Sequence, residues 1–140
     1  MTMLVIDANV AVSALAGRSM PLLAALNDCG FALVMPAHQA YETEAVLTRK
    51  LELPPEFVAV ALSNLWRVVH KADPAEYEAA EDGARERLAS GGQPDWPVLA
   101  LAIASDSAIL SNDRDFFGTG VPVWSTTNVR HATPETMSDA

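Results

Sequence analysis

The chain has 140 residues, half of them hydrophobic, with 18 acidic against nine basic side chains and a net charge of −9. That is enough chain for one domain with its own core and too apolar a composition for a disordered polymer. The acidic balance counts against a protein that reads nucleic acid through a basic footprint, and a single cysteine excludes an internal disulfide.

The expected elements begin with a strand over Met3–Ile6, whose apolar run stops at Asp7. With no basic residues before it, this start reads as neither a signal peptide nor a membrane span. Together with the lone Cys29, which reads as a small buried hydrophobe, it sets the expectation of a cytoplasmic protein. Helices are expected over Val10–Leu15 and Met20–Asp28, a strand over Phe31–Met35, and a long helix over Ala37–Leu51 carrying Glu42 and Glu44. Pro54-Pro55 separates that helix from another over Glu56–Leu65, and a third strand follows over Arg67–Lys71. The segment Ala75–Ala89 reads as a helix. The acids Asp73, Glu76, Glu78, Glu81, Asp82 and Glu86 crowd it as a solvated face. Gly91-Gly92-Gln93-Pro94 is a turn before Asp95 and an apolar helix over Trp96–Ala104. Strands over Ala108–Leu110 and Pro122–Trp124 close the pattern. Periodicity fades after Thr126, so residues 1–126 read as the domain and 127–140 as a loose tail.

Strands alternating with helices imply crossover connections, hence an α/β fold with a mostly parallel sheet and helices on both faces. In such a sheet the C-terminal ends of the strands share one edge, where open α/β folds place their ligands. Asp7 follows a strand directly, Asp113 stands in the Ser-Asn-Asp turn that ends another, Asp95 opens a helix, and the helix after the second strand brings Glu42 near the same edge. Each acid has a plain structural explanation: Asp95 and Asp7 as helix N-caps, Asp113 as turn chemistry, Glu42 or Glu44 as an idle exposed side chain. Four carboxylates converging without cations would repel one another. Oxygen-binding ions such as Mg²⁺ or Mn²⁺ account for such a set, and two of them would bring the net charge to about −5. Phosphate-binding glycine loops and a serine nucleophile elbow are absent from the sequence. His38, His70 and His131 show no metal spacing and read as surface or satisfied histidines. Trp66 and Trp124 read as packing.

At these positions the chain resembles the PIN-domain ribonucleases, whose bacterial members include the VapC-type toxins. Val5-Ile6-Asp7-Ala8-Asn9-Val10 is similar to the family's opening strand-Asp-x-Asn. Pro36 through Leu47 resembles its Pro-led helix, where an acid four and five residues before Val46-Leu47 favours Glu42 over Glu44. Asp95 before an Ala-rich helix resembles the third acid. Ser111-Asn112-Asp113-Arg114-Asp115-Phe116 resembles the Thr-x-Asp-x-Asp-Phe signature, with Ser where Thr is commoner. Pro94 stands where an extra acid is frequent in one subgroup. The resemblance spans roughly residues 3–126.

It implies a three-layer α/β/α domain on a five-stranded sheet. It also implies an endoribonuclease that uses Mg²⁺ or Mn²⁺ held by Asp7, Glu42, Asp95 and Asp113, with Asn9, Ser111 and Asp115 in support. The implied partners are an RNA substrate, a VapB-like antitoxin and a second copy in a homodimer. One rival is a PIN-like protein that has lost nuclease activity and serves as a protein-binding module, against which the intact set of four acids speaks. Another is a receiver-type phosphoryl-transfer domain, which would need an acceptor Asp after the third strand, where Val68-Val69-His70-Lys71 offers none.

Overall fold

The computed structural model describes residues 2–17 and 19–132. Five strands form one all-parallel sheet: β1 (Thr2–Ile6), β2 (Phe31–Pro36), β3 (Val69–Ala72), β4 (Ala108–Leu110) and β5 (Val123–Trp124), in the order β3-β2-β1-β4-β5. Among the described residues, six α-helices connect them: α1 (Ala8–Leu15), α2 (Met20–Asp28), α3 (Ala37–Ala45), α4 (Pro55–Leu65), α5 (Glu81–Arg87) and α6 (Trp96–Ser105). This is the expected α/β/α sandwich. Among the described residues no single helix is long and apolar enough to cross a membrane.

Strand side chains alternate between two cores, as a pleat of period two requires. Leu4, Ile6, Leu33, Met35, Ala108 and Leu110 face one way, against Val10 and Ala14 of α1 and Leu23 and Leu26 of α2. Val5, Val34 and Ile109 face the other, against Ala84 of α5 and Val98, Leu99 and Ala102 of α6. A parallel sheet covered on both faces needs apolar residues at nearly every strand position, which explains the unbroken apolar runs. The chain leaves β1 toward β2 on one side, and β4 pairs with β1 on the other, so the switch point falls at the C-terminal ends of β1 and β4.

Several details depart from the sequence expectation. Ala75–Ala89 is not one helix but two short 3-10 turns, Pro74–Glu76 and Glu78–Ala80, followed by α5. The break sits at Tyr77, whose φ of −141° lies outside the helical range and whose ring is buried. Burying that one aromatic outweighs a continuous helical run, and the acids therefore spread over several short pieces. The α3 segment changes to a π-helical turn over Val46–Lys50 instead of continuing as α-helix to Leu51. β3 begins at Val69, two residues after the expected start. Cys29 is exposed at the C-terminus of α2 and is not a core residue. Trp66 and Trp124 do pack against the core, Trp66 beneath Lys71 with the ammonium 4.9 Å from the ring centre.

Packing also runs past the expected boundary at Thr126. Asn128 accepts a hydrogen bond from the Ser125 backbone N–H at 2.9 Å, and Val129 is fully buried in the core beside α1 and α2. The remainder of the expected tail, 133–140, lies outside the described residues. Val129→Ala removes two buried methyl groups, so urea denaturation should show a loss of about 2 kcal/mol. A loss below about 0.5 kcal/mol, the range of ordinary surface changes, would detach this segment from the core.

Candidate metal centre

The site forms where β1 and β4 end side by side. Ile6 pairs with Leu110, so the next residues, Asp7 and Ser111, leave neighbouring strands in register. Asp7 is buried. Its Oδ1 accepts the Val10 backbone N–H at 3.0 Å and caps α1, while its Oδ2 accepts a short hydrogen bond from the Ser111 hydroxyl. Ser111 Oγ in turn accepts the Asp113 backbone N–H at 3.0 Å. One hydroxyl thus ties the acid after β1 to the acid after β4. Asp113 Oδ1 accepts the Asp115 backbone N–H at 2.9 Å, which turns the Asp115 carboxylate back toward the centre. Asn112 holds the outer side of this loop through both the backbone N–H and the hydroxyl of Thr126.

Asp95 occupies the N-cap position of α6, yet its side chain makes no capping hydrogen bond. Its carboxylate faces inward instead: oxygens of Asp95, Asp113 and Asp115 all lie within 4.8 Å of one another. The cap role that the sequence suggested for Asp95 is therefore unfilled. Asp7, by contrast, does cap its helix while also facing the acids.

Glu42 enters from α3, whose start is tied to the start of α1 by a buried contact in which Gln39 Oε1 accepts the Ala8 N–H at 2.7 Å. The Thr43 hydroxyl donates to the Gln39 carbonyl at 2.8 Å in the same buried layer. This fixes the rotation of α3. The Glu42 charge acts on both Asp7 and Asp95, and Glu44, about 200° further around the helix, points elsewhere. Asn9 is exposed in the first turn of α1, and Arg114 is exposed beside Asp113.

The electrostatics follow from crowding. Burial pushes the Asp7 carboxyl above its usual range, the charges of Asp113 and Glu42 push the same way, and the bonds from Ser111 and Val10 pull back without prevailing. Asp95 rises to about 6, mostly through burial, with Asp113, Asp7, Glu42 and Asp115 adding repulsion. Asp115 rises chiefly because Asp113 is beside it. Without a cation, these carboxyls are penalised for being ionised.

Gly92 was legible only as part of a glycine turn, but it is buried, and a Cβ there would meet the Cβ of Asp115 at 3.0 Å and its Cγ at 3.2 Å. The 3-10 turn Ser90–Asp95 can approach the Arg114–Phe116 turn this closely because Gly92 has no side chain. Gln39 and Gly92 are the structural residues that sequence reasoning missed. Gln39 reads as an ordinary helical glutamine, and nothing local marks it as buried.

A family model described as PIN domain matches residues 5–133. Among curated protein sequences there is no match. Solved structures share the fold at low identity. A structure of VapBC2 from Rickettsia felis bound to a DNA fragment of the promoter aligns with a TM-score of 0.72 and 14% identity, over 89% of this chain and 98% of that one. PAE2754 from Pyrobaculum aerophilum aligns at 0.64 and 16%, over 91% and 86%. FitAcB from Neisseria gonorrhoeae aligns at 0.57 and 19%, over 89% and 99%.

The raised carboxyls set a pH dependence with a definite sign. A folded-state pKa above the unfolded value stabilises the protein fully below the unfolded value, near 4, and that contribution is lost as pH rises through about 6 for Asp95. Metal-free melting temperature should therefore fall across this interval, and Asp7→Asn should melt at or above wild type at pH 7. A metal-free melting temperature that rises through the same interval would contradict the crowding. Gly92→Ala should weaken Mn²⁺ binding about tenfold by calorimetry, the scale on which supporting groups act. Unchanged affinity would show that the position of Asp115 does not matter to the ion.

Proposed function

The chain belongs to the PIN-domain family, and from that premise we propose that it is an endoribonuclease dependent on Mg²⁺ or Mn²⁺, acting as the toxin of a VapBC-type pair. One observation carries the reading: Asp95 stands at a helix N-cap without capping, and its carboxylate is turned toward Asp113 and Asp115. A side chain that gives up its local hydrogen bond to join other anions needs a cationic partner to offset the cost.

The donor set fits a hard divalent ion, since every candidate ligand is a carboxylate oxygen and none is sulfur or imidazole. Asp7, Glu42, Asp95 and Asp113 would hold the metal, with Asp115 as a further acid. When bound, such an ion supplies positive charge to a phosphodiester and lowers the pKa of water. The chain's own part is orientation. The Ser111 hydroxyl and the Val10 N–H aim the two Asp7 oxygens, and the Asp113 N–H locks Ser111 in turn. Gln39 holds α3 against α1, so that Glu42 keeps its place relative to Asp7. Groups held from several rigid elements need little reorganisation during reaction, which is how such sites stabilise developing charge.

The antitoxin reading draws on the VapC-type motifs of the sequence and on the likeness to VapBC2 from Rickettsia felis, whose structure holds a DNA fragment of the promoter. An acidic crevice also suits a basic side chain inserted from a partner. A homodimer in the cytoplasm completes the proposal.

The test is cleavage of unstructured RNA with Mg²⁺ or Mn²⁺ and with chelator. Asp7→Asn, Glu42→Gln and Asp95→Ser should each lose at least about a hundredfold, beyond what supporting groups usually cost. Asp95→Ser should keep its stability within about 1 kcal/mol, since the Asp95 side chain has no capping hydrogen bond to lose and Ser is well tolerated at an N-cap position. Glu44→Gln should stay within about twofold of wild type, having no place in the set. Cleavage that survives Asp95→Ser would remove that residue from the metal set. A chain that binds partners but cleaves nothing with either ion would leave only a binding module.

A further inference from the structure

We propose that Tyr77 is a positioning residue of the acid centre: its buried hydroxyl caps α3 from the turn after β3 and so fixes where Glu42 stands relative to Asp95. This rests on the metal-dependent reading above and adds to it a residue from outside the acid set.

The acids are not all held alike. Asp7 is aimed by hydrogen bonds to both of its oxygens. Asp95 makes no capping bond, and Glu42 is exposed. The place of these two therefore depends on where α6 and α3 begin. Ligands carried on separate helices hold one ion tightly only if those helices are fixed relative to one another.

The start of α3 has no cap of its own. Its N-cap residue is Pro36, which carries no side-chain acceptor, so the first-turn N–H groups need one from elsewhere. Tyr77 supplies it. Its hydroxyl oxygen accepts the His38 backbone N–H at 3.4 Å, and the Ala37 N–H acts on the same oxygen. The two segments meet because β2 and β3 end in register: Pro36 pairs with Ala72, α3 starts at the residue after Pro36, and the Tyr77 turn starts two residues after Ala72. A capping box between Asp73 and Glu76 holds that turn, with the Asp73 N–H donating to Glu76 Oε2 at 2.8 Å. Tyr77 itself is 1% exposed. A phenol buried this fully needs partners for its oxygen, and the backbone of α3 provides them.

The same side chain reaches α6. The rings of Tyr77, His38 and Trp96 contact one another, with centroids 5.7 Å apart for His38 and Tyr77, 5.2 Å for His38 and Trp96, and 6.0 Å for Tyr77 and Trp96. His38 Nδ1 is also hydrogen-bonded with the Tyr77 hydroxyl at 2.5 Å. Trp96 is the first residue of α6 and follows Asp95 directly. Arg85 steadies it from another side, with its guanidinium 5.3 Å from the ring centre and itself held by Glu81 and Gln93. Glu42 stands one turn after His38 on the same side of α3, and its charge acts on Asp95. Gln39 thus ties α3 to α1, and Tyr77 ties it to α6.

The test is calorimetric titration of the full chain with Mn²⁺, with circular dichroism and a thermal melt for each variant. Tyr77→Phe keeps the ring against Trp96 and removes only the cap, so Mn²⁺ affinity should fall about tenfold, the lower end of what supporting groups cost. The loss should act through Glu42. In a Glu42→Gln background the same change should cost less than about twofold, whereas in an Asp115→Asn background it should stay near tenfold. His38→Ala, at an exposed position, removes one partner of the Tyr77 hydroxyl and the ring between Tyr77 and Trp96, and should weaken Mn²⁺ binding in the same direction. A folded Tyr77→Phe with wild-type Mn²⁺ affinity, whatever its melting temperature, overturns the positioning role and leaves the metal reading intact. If Tyr77→Phe does not fold, wild-type affinity in His38→Ala overturns it in the same way. A tenfold loss that persists without Glu42 also overturns it. A wild-type chain that binds no Mn²⁺ overturns the metal reading, and this role with it.

Discussion

The hydrogen bond from Ser111 to Asp7 is the contact on which the rest of the site depends. It crosses between two parallel strands at the point where both end, and it exists because Ile6 and Leu110 are paired in register. A slip of one residue in β4 would send the Ser111 hydroxyl to the opposite face and put Asn112 opposite Asp7. Register is set by burial, since Leu110 must face the α1–α2 core and Ile109 the α6 core. The polar geometry is thus a consequence of how apolar strand residues alternate. Ser111, by also accepting the Asp113 N–H, passes that register on to the acids of the following loop.

Two opposing effects meet at Asp7, and their balance defines the character of the centre. Two hydrogen bonds and the positive end of α1 favour its ionised form, while burial and neighbouring acids oppose it. Burial prevails. The same holds for Asp95, where no capping bond offsets the crowding. The fold holds these groups together because they are attached to elements whose packing is decided elsewhere: Asp7 after a core strand, Asp95 before the most buried helix, Asp113 after a fully buried strand. Local repulsion is small against the burial of β1, β4 and α6. A site of this kind is destabilising when empty of cations and becomes favourable once positive charge enters.

Much of this was legible in the sequence because it rests on short-range pattern. The apolar runs ending at Asp7 and before Ser111, the Asp95–Trp96–Pro97 helix start and the alternation of strand with helix all follow from residue type and spacing. The α/β class, the five strands and the juxtaposition of acids at one sheet edge come from that pattern. What escaped depends on distant partners. Gln39 is buried because Ala8, 31 residues earlier, needs an acceptor, and no local pattern reports this. The helix expected over Ala75–Ala89 breaks because Tyr77 turns inward to cap α3, a tertiary demand that overrides helical spacing. Val129 packs in the core although the residues around it carry no periodicity. Asp95 is the instructive case, since its sequence context suits an N-cap and only the three-dimensional arrangement shows the cap unmade.

The central claim is that the raised carboxyls and the binding of a divalent cation are two aspects of one arrangement. It is tested most directly by titrating the intact protein with Mn²⁺ at pH 6 and pH 8 in pairs of buffers with different heats of ionisation. A cation that replaces protons on Asp95 and its neighbours must release them, and the release must shrink once the apo carboxyls are already ionised. The account predicts saturable binding at both pH values, with net proton release at pH 6 that largely disappears at pH 8. No binding heat in any buffer, or binding with no proton release at pH 6, would contradict it.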